Sequence, residues 1–280
     1  MEKITDKHVL ILSRVIKSVN YKVKKNALWQ FLVVEYGIGY LDGHFVILNR
    51  DDHIRIQDLV LNQIGIDLLE HLPSGDRIQV SLKTGNEKFA AEAPGRHHIA
   101  LTSWSNQLNI NGQTIPLLPG ASYRIDWRNL DMRPNCIIVV ENLQAFDNFY
   151  MAKLPQELAN AWVLYRGHNI SSKAVKDCLA VMPEGIPIIA FSDYDPAGLI
   201  ISKTTIGVTH FLLPEIDVAF QRAHGTRERF ESQHASVTHL TNNPLPDTLS
   251  AHYDRLLNER LCVSQEQMLA LEMPLLLIHC

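Results

Sequence analysis

The stretch Ile186-Pro-Ile-Ile-Ala-Phe-Ser-Asp-Tyr-Asp-Pro-Ala-Gly198 constrains this chain more than any other. A short apolar run bounded by turn residues reads as a buried strand. Pro187 is tolerable there because it falls at the strand's start. Two carboxylates, Asp193 and Asp195, follow two positions apart, and Pro196 is suited to the first turn of a following helix. A second apolar run, Cys136-Ile-Ile-Val-Val140, ends in Glu141-Asn142. In a parallel sheet both runs would deliver their acids to the carboxyl edge, where open α/β folds bind ligands. Hard divalent cations such as Mg²⁺ take oxygen ligands, commonly one or two carboxylates plus substrate phosphates. Glu141, Asp193 and Asp195 are therefore candidate ligands of one Mg²⁺ or Mn²⁺ site. The alternative for Asp193 is that it caps the helix beginning near Pro196. Glu141, at the end of a buried run, needs a partner or a metal in either case.

Residues 136 to 213 alternate strand and helix: strands 136–140, 161–165, 186–191 and 209–213, with helices near 145–153, 171–181 and from 197. Such alternation implies a parallel sheet with crossover helices. The separation of 52 positions between Glu141 and Asp193 (193 − 141 = 52) leaves room for the helix, strand and helix that bring the first and third strands together.

Before this half the pattern differs. Val9, Leu10, Leu12, Val15 and Ile16 mark one face of a first helix, and a second covers Asn26–Glu35. Gly37–Gly43 breaks the helical pattern, and 44–48 with 51–56 reads as two short strands around a turn, which together suggest a winged-helix-like module over 1–71. Strands at 77–82, 98–102 and 107–110, with Asn111-Gly112 as a two-residue hairpin turn, suggest a β-rich insert over 72–131. The catalytic half then runs 132–280. The polar stretch Arg222–Asn243 reads as a loop or a weakly ordered insertion, and His224, His234, His239 and His252 have no metal-binding spacing and read as surface residues.

With 280 residues, 46% of them hydrophobic, the chain has enough material for a sizeable core and about two domains. Its formal charge of −4 argues against a surface given over wholly to phosphate contact. Arg14, Lys17, Lys22, Lys24 and Lys25 nevertheless form a basic cluster, which reads as a solvated helix end or a phosphate-facing patch. Four scattered cysteines suggest neither a zinc ribbon nor a disulfide framework. With no apolar run of membrane-spanning length and no signal-peptide pattern at the N-terminus, we expect a cytoplasmic protein.

The apolar strand ending in Glu141 and the Asp-x-Asp-Pro-x-Gly run (193–198) resemble the Toprim domain, the Mg²⁺-binding catalytic module of topoisomerases, primases and several nucleases. Val-Val-Glu-Asn-Leu-x-x-Phe (139–146) and Asp-Tyr-Asp-Pro-Ala-Gly look most like the JetD nuclease subunits of Wadjet plasmid-defence systems and the related MksG subunits. The topoisomerase VI A subunit shares the second motif. The resemblance covers roughly 132–270. It implies a Rossmann-like Toprim fold and a Mg²⁺-dependent DNA endonuclease that hydrolyses phosphodiesters, with Glu141, Asp193 and Asp195 as ligands. It also implies a partner, an SMC/kleisin-type (condensin-like) ATPase complex, with a homodimer as a further option. Leu261–Met268 resembles the Glu-Gln-Glu-type element of the JetD group, which makes Glu266 a fourth ligand. Arg166 and His168, following the second strand, are candidates to hold a phosphate and transfer a proton. Two alternatives stand beside this reading. One is a topoisomerase-like transesterase using Tyr36 or Tyr40, neither of which has that family's flanking pattern. The other is a non-catalytic interaction subunit.

Overall fold

A computed structural model describes residues 4–70, 95–215 and 218–280. The expected strand at 77–82, and the start of the insert at 72, lie outside the described residues. The chain divides into two compact units, 1–94 and 95–280.

The first unit combines three helices with a small antiparallel sheet. Helix α1 (Asp6–Lys17) buries Val9, Leu12 and Ile16, one face at helical spacing. Strand β1 (Lys22–Lys24) leads into α2 (Ala27–Tyr36), where Asn26 accepts the Trp29 N–H at 3.1 Å and Gly37 ends the helix at φ 58°. The hairpin of β2 (Tyr40–Asp42) and β3 (Phe45–Ile47) turns at Gly43, and the sheet order is β1-β3-β2. Residues 51–56 are not the strand expected from the alternation of Ile54, Arg55 and Ile56. They open helix α3 (Arg50–Ile64). Asn49 accepts the Asp52 N–H at 2.8 Å while Asp52 accepts the Asn49 N–H at 2.9 Å, a reciprocal cap that outweighs local alternation. The helical period then buries Ile56 and Val60 and leaves Ile54 exposed.

The second unit is built on seven strands: β4 (His98–Thr102), β7 (Tyr123–Asp126), β8 (Ile137–Val140), β9 (Trp162–Tyr165), β10 (Ile188–Phe191), β11 (His210–Pro214) and β12 (Leu275–His279). Their order is β12-β11-β10-β8-β9-β4-β7. The inner four, β11-β10-β8-β9, are parallel, and β12 and β4 flank them antiparallel. Every residue of β8, β9 and β10 is buried, as continuous apolar runs in a two-sided parallel sheet require. Alternate residues feed two cores. Ile138 and Val140 join Phe146, Phe149, Phe191 and Phe211 on one face, while Ile137 and Val139 join Trp162, Val175 and Leu179 on the other.

Two expectations about organisation need correction. Residues 95–131 are not a separate insert: β4 pairs with β9 and β7 with β4, extending the main sheet across the boundary expected near 131. The separate hairpin of β5 (Gln107–Ile110) and β6 (Gln113–Pro116) does turn at Asn111 and Gly112, both with positive φ (51° and 70°). The stretch 222–243 is largely helical rather than a loop, falling in α7 (Val218–His224), α8 (Arg227–Glu231) and α9 (His234–Asn242). Only Phe230 and Leu240 of its described residues are fully buried hydrophobics, too few to mark a period in the sequence. Among the described residues no helix is long and apolar enough to cross a membrane.

Candidate functional site

Strands β8 and β10 are direct parallel neighbours with Val140 opposite Phe191, so Glu141 and Ser192-Asp193 leave the sheet side by side. The Glu141 N–H donates to the Phe191 carbonyl at 3.1 Å, extending the ladder one residue past the strand. The topology thus brings together the three acids that the sequence singled out.

Glu141 Oε2 is buried and has no hydrogen-bond partner. Burial, reinforced by the charge of Asp193, pushes its carboxyl up to about 6, against the opposing pull of Arg166. Asp193 is buried as well. Its Oδ1 accepts the Gln265 N–H at 2.7 Å, and its Oδ2 accepts from Arg229 Nη2. Burial raises its pKa despite these donors.

Asp195 is fully buried and takes the capping role considered for Asp193. Its Oδ1 accepts the Gly198 N–H at 2.7 Å at the start of α6 (Pro196–Lys203), with Pro196 in the first turn. Its Oδ2 accepts from Gln233 Nε2 at 2.9 Å and pairs with Arg229 Nε at 2.9 Å.

The loop carrying the two aspartates is pinned from several sides. Tyr194 is buried, exchanges backbone hydrogen bonds with Val263 (2.8 and 3.1 Å), and donates its hydroxyl to the His252 carbonyl at 3.0 Å. Ser192 donates to the Gly198 carbonyl at 2.8 Å. A Cβ on Gly198 would lie 2.1 Å from the Asp193 carbonyl oxygen, so the motif's glycine lets the helix start approach the loop closely.

The remaining expected residues are placed differently. Glu266 lies in the first turn of α11 (Gln265–Ala270), and among the described residues it has no hydrogen bond or ion pair to the three acids. Its neighbour Gln265 reaches the site instead. Besides its N–H to Asp193, Gln265 donates Nε2 to the Phe191 carbonyl at 2.9 Å and accepts the Asn142 N–H at 2.9 Å. It thereby ties the ends of β8 and β10 together.

Arg166 is near enough to Glu141 to favour its ionised form, and its Nε is buried without a partner. His168 is engaged elsewhere. Its ring bonds the Tyr165 hydroxyl, its exposed backbone opens the helix α5 (Asn169–Ala180), and it has no described bond to the acids. Gly167, at φ 79°, makes the turn between them.

The donor set suits a hard cation in kind: three carboxylates at one sheet edge, one with an orphaned oxygen. In the arrangement described, Arg229 engages both aspartates, and among the described residues no group of three or more His, Cys, Asp or Glu side chains is spaced to hold a metal. Sequence reading missed Arg229 and Gln233, because both lie on segments expected to be a loop and meet the acids only through tertiary packing. Gln265 was in view, as the neighbour of Glu266.

Fold and site together define a mixed α/β protein with two buried aspartates and the part-buried Glu141 at the carboxyl edge of the parallel strands. Residues 96–277, more than half of the chain, match the family described as a domain of unknown function, DUF7281, and the chain belongs to that family. Among curated proteins, none matches it.

Proposed function

We propose that the acidic cluster is the centre of a Mg²⁺- or Mn²⁺-dependent phosphodiesterase that cuts DNA. The observation that carries this is the convergence of Glu141, Asp193 and Asp195 from adjacent parallel strands, with Glu141 Oε2 buried and unpartnered. Structural ion-pair networks rarely leave a buried carboxylate oxygen without a donor. The resemblance of these motifs to Toprim nucleases supports the same reading, as does the β9-β8-β10-β11 order of the parallel strands. The helices and three-stranded sheet of the first unit support the winged-helix-like reading.

In this proposal Glu141, Asp193 and Asp195 would hold the cation, and Arg166 would be the residue available to a phosphate beside Glu141. A bound divalent ion would neutralise the phosphate, lower the pKa of a water and stabilise the leaving oxygen. The chain's own residues supply the rest. Gln265 fixes the spacing of the two strand ends, Tyr194 anchors the aspartate loop, and Asp195 fixes the start of α6. Cytoplasmic location and recruitment by an SMC/kleisin-type complex belong to the same proposal, since recruitment would bring a chain of net charge −4 to DNA.

The test is cleavage of supercoiled plasmid in Mg²⁺ or Mn²⁺, with EDTA and Asp193→Asn as controls. Metal-dependent nicked or linear product with protein-free ends, lost in the variant, supports hydrolysis. Protein-linked ends point to a tyrosine transesterase, and equal product from the variant sinks the assignment.

A further inference from the structure

Every oxygen of Asp193 and Asp195 already has a donor. Two of these donors are backbone N–H groups, of Gln265 and Gly198, fixed at the first turns of their helices. Gln233 is held in turn by the Ala197 N–H, which it accepts at 2.9 Å. The remaining donor is Arg229, whose Nη2 meets Asp193 and whose Nε meets Asp195. It is the one charged partner both aspartates share among the described residues. It sits on the five-residue helix α8, and its side chain is 36% exposed. The guanidinium therefore can leave for solvent without crossing the core, whereas the backbone donors cannot move without unwinding a helix.

Resting on the reading of the acids as a metal site, we infer that Arg229 is the resident cation of the cluster and competes with a divalent ion for Asp193 and Asp195. Burying carboxylates without a counter-charge is costly, so the fold in the absence of metal needs a cation of its own. A divalent ion at the same oxygens would repel the guanidinium at short range in a partly desolvated setting. Glu141 Oε2 has no hydrogen-bond donor, so an incoming ion displaces none there and meets only the charge of nearby Arg166. Entry there followed by withdrawal of Arg229 exchanges one counter-ion for another without leaving the aspartates bare. Burial opposes the charge of Arg229, and the two aspartates outweigh that opposition and raise its pKa, so the arginine enters this exchange as a full positive charge.

The test is Mn²⁺ binding to purified protein at pH 8, read from the loss of the free-ion signal in electron paramagnetic resonance. It compares wild type, Arg229→Gln, Arg229→Lys and Asp193→Asn, with melting temperatures recorded with and without Mn²⁺. We expect Arg229→Gln to bind Mn²⁺ about tenfold more tightly than wild type, or better. It should melt lower than wild type without metal and gain more on adding Mn²⁺, with Arg229→Lys in between. Equal affinity in wild type and both Arg229 variants, with binding lost in Asp193→Asn, overturns the competition and leaves the metal site standing. Weaker binding by folded Arg229→Gln or Arg229→Lys overturns it too, since the arginine would then support the ion. No Mn²⁺ binding by any protein, or binding that Asp193→Asn does not change, overturns the underlying metal reading instead. Should Arg229→Gln not fold, Arg229→Lys decides.

Discussion

Replacing Glu141 with glutamine should stabilise this protein while abolishing its proposed activity. The carboxyl is pushed from an ordinary 4.5 up to about 6, chiefly by burial and then by the charge of Asp193. A raised carboxyl pKa means that the folded chain holds this proton more tightly than the unfolded chain. The native state therefore carries no penalty from the group below about pH 4.5. It loses stability as pH rises from there through about 6, and the penalty is constant above. The separation corresponds to about 2 kcal/mol. Glutamine mimics the protonated acid, so in EDTA at pH 8 Glu141→Gln should exceed wild type by about 2 kcal/mol in urea denaturation, equivalent to about 4–8 °C in melting temperature for a unit of this size. The gap should close at pH 4.5. A variant less stable than wild type at pH 8, or a gap independent of pH, would refute the reasoning that burial holds Glu141 with a raised pKa and one oxygen without a donor.

Other positions give independent checks. Gln265→Leu leaves the part-buried Asn142 N–H without its acceptor and removes one of the two donors to the Phe191 carbonyl, and should cost about 1–3 kcal/mol in urea denaturation. Gly198→Ala would put a methyl 2.1 Å from the Asp193 carbonyl oxygen. It should cost about 2–4 kcal/mol and weaken cleavage by displacing the aspartate loop, read by denaturation and plasmid assay together. Burial pushes the thiols of Cys178 and Cys262 up to about 12, so at pH 8 a maleimide should leave both unlabelled in the native protein while labelling the half-buried Cys280, and should label all of them in urea.

The parallel half of the fold was legible because its strands are short, almost wholly apolar and separated by helices, a pattern with few alternative readings. Ile137–Val140, Trp162–Tyr165, Ile188–Phe191 and His210–Pro214 all fall where the alternation puts them. Side-chain capping was harder to read: the Asn49–Asp52 reciprocal bond turns 51–56 into a helix although Ile54 and Ile56 alternate with Arg55. The assignment of β4 and β7 to the main sheet depends on pairing across sequence distance, which local pattern does not carry. The same division holds at the site. Glu141, Asp193 and Asp195 declare themselves by position at strand ends, whereas Arg229 and Gln233 come from a polar segment with no period of its own. Gln265 and Glu266 differ by one helical position, and the backbone N–H and side-chain amide of Gln265 are what reach the strand ends.

The most direct test of the central claim is a crystal of the protein soaked in Mn²⁺ and measured at the manganese absorption edge. The account predicts an anomalous peak bounded by the carboxylates of Glu141, Asp193 and Asp195, with the Arg229 guanidinium moved off the aspartates. Saturating Mn²⁺ with no peak at these residues, and Arg229 still bridging Asp193 and Asp195, would contradict it.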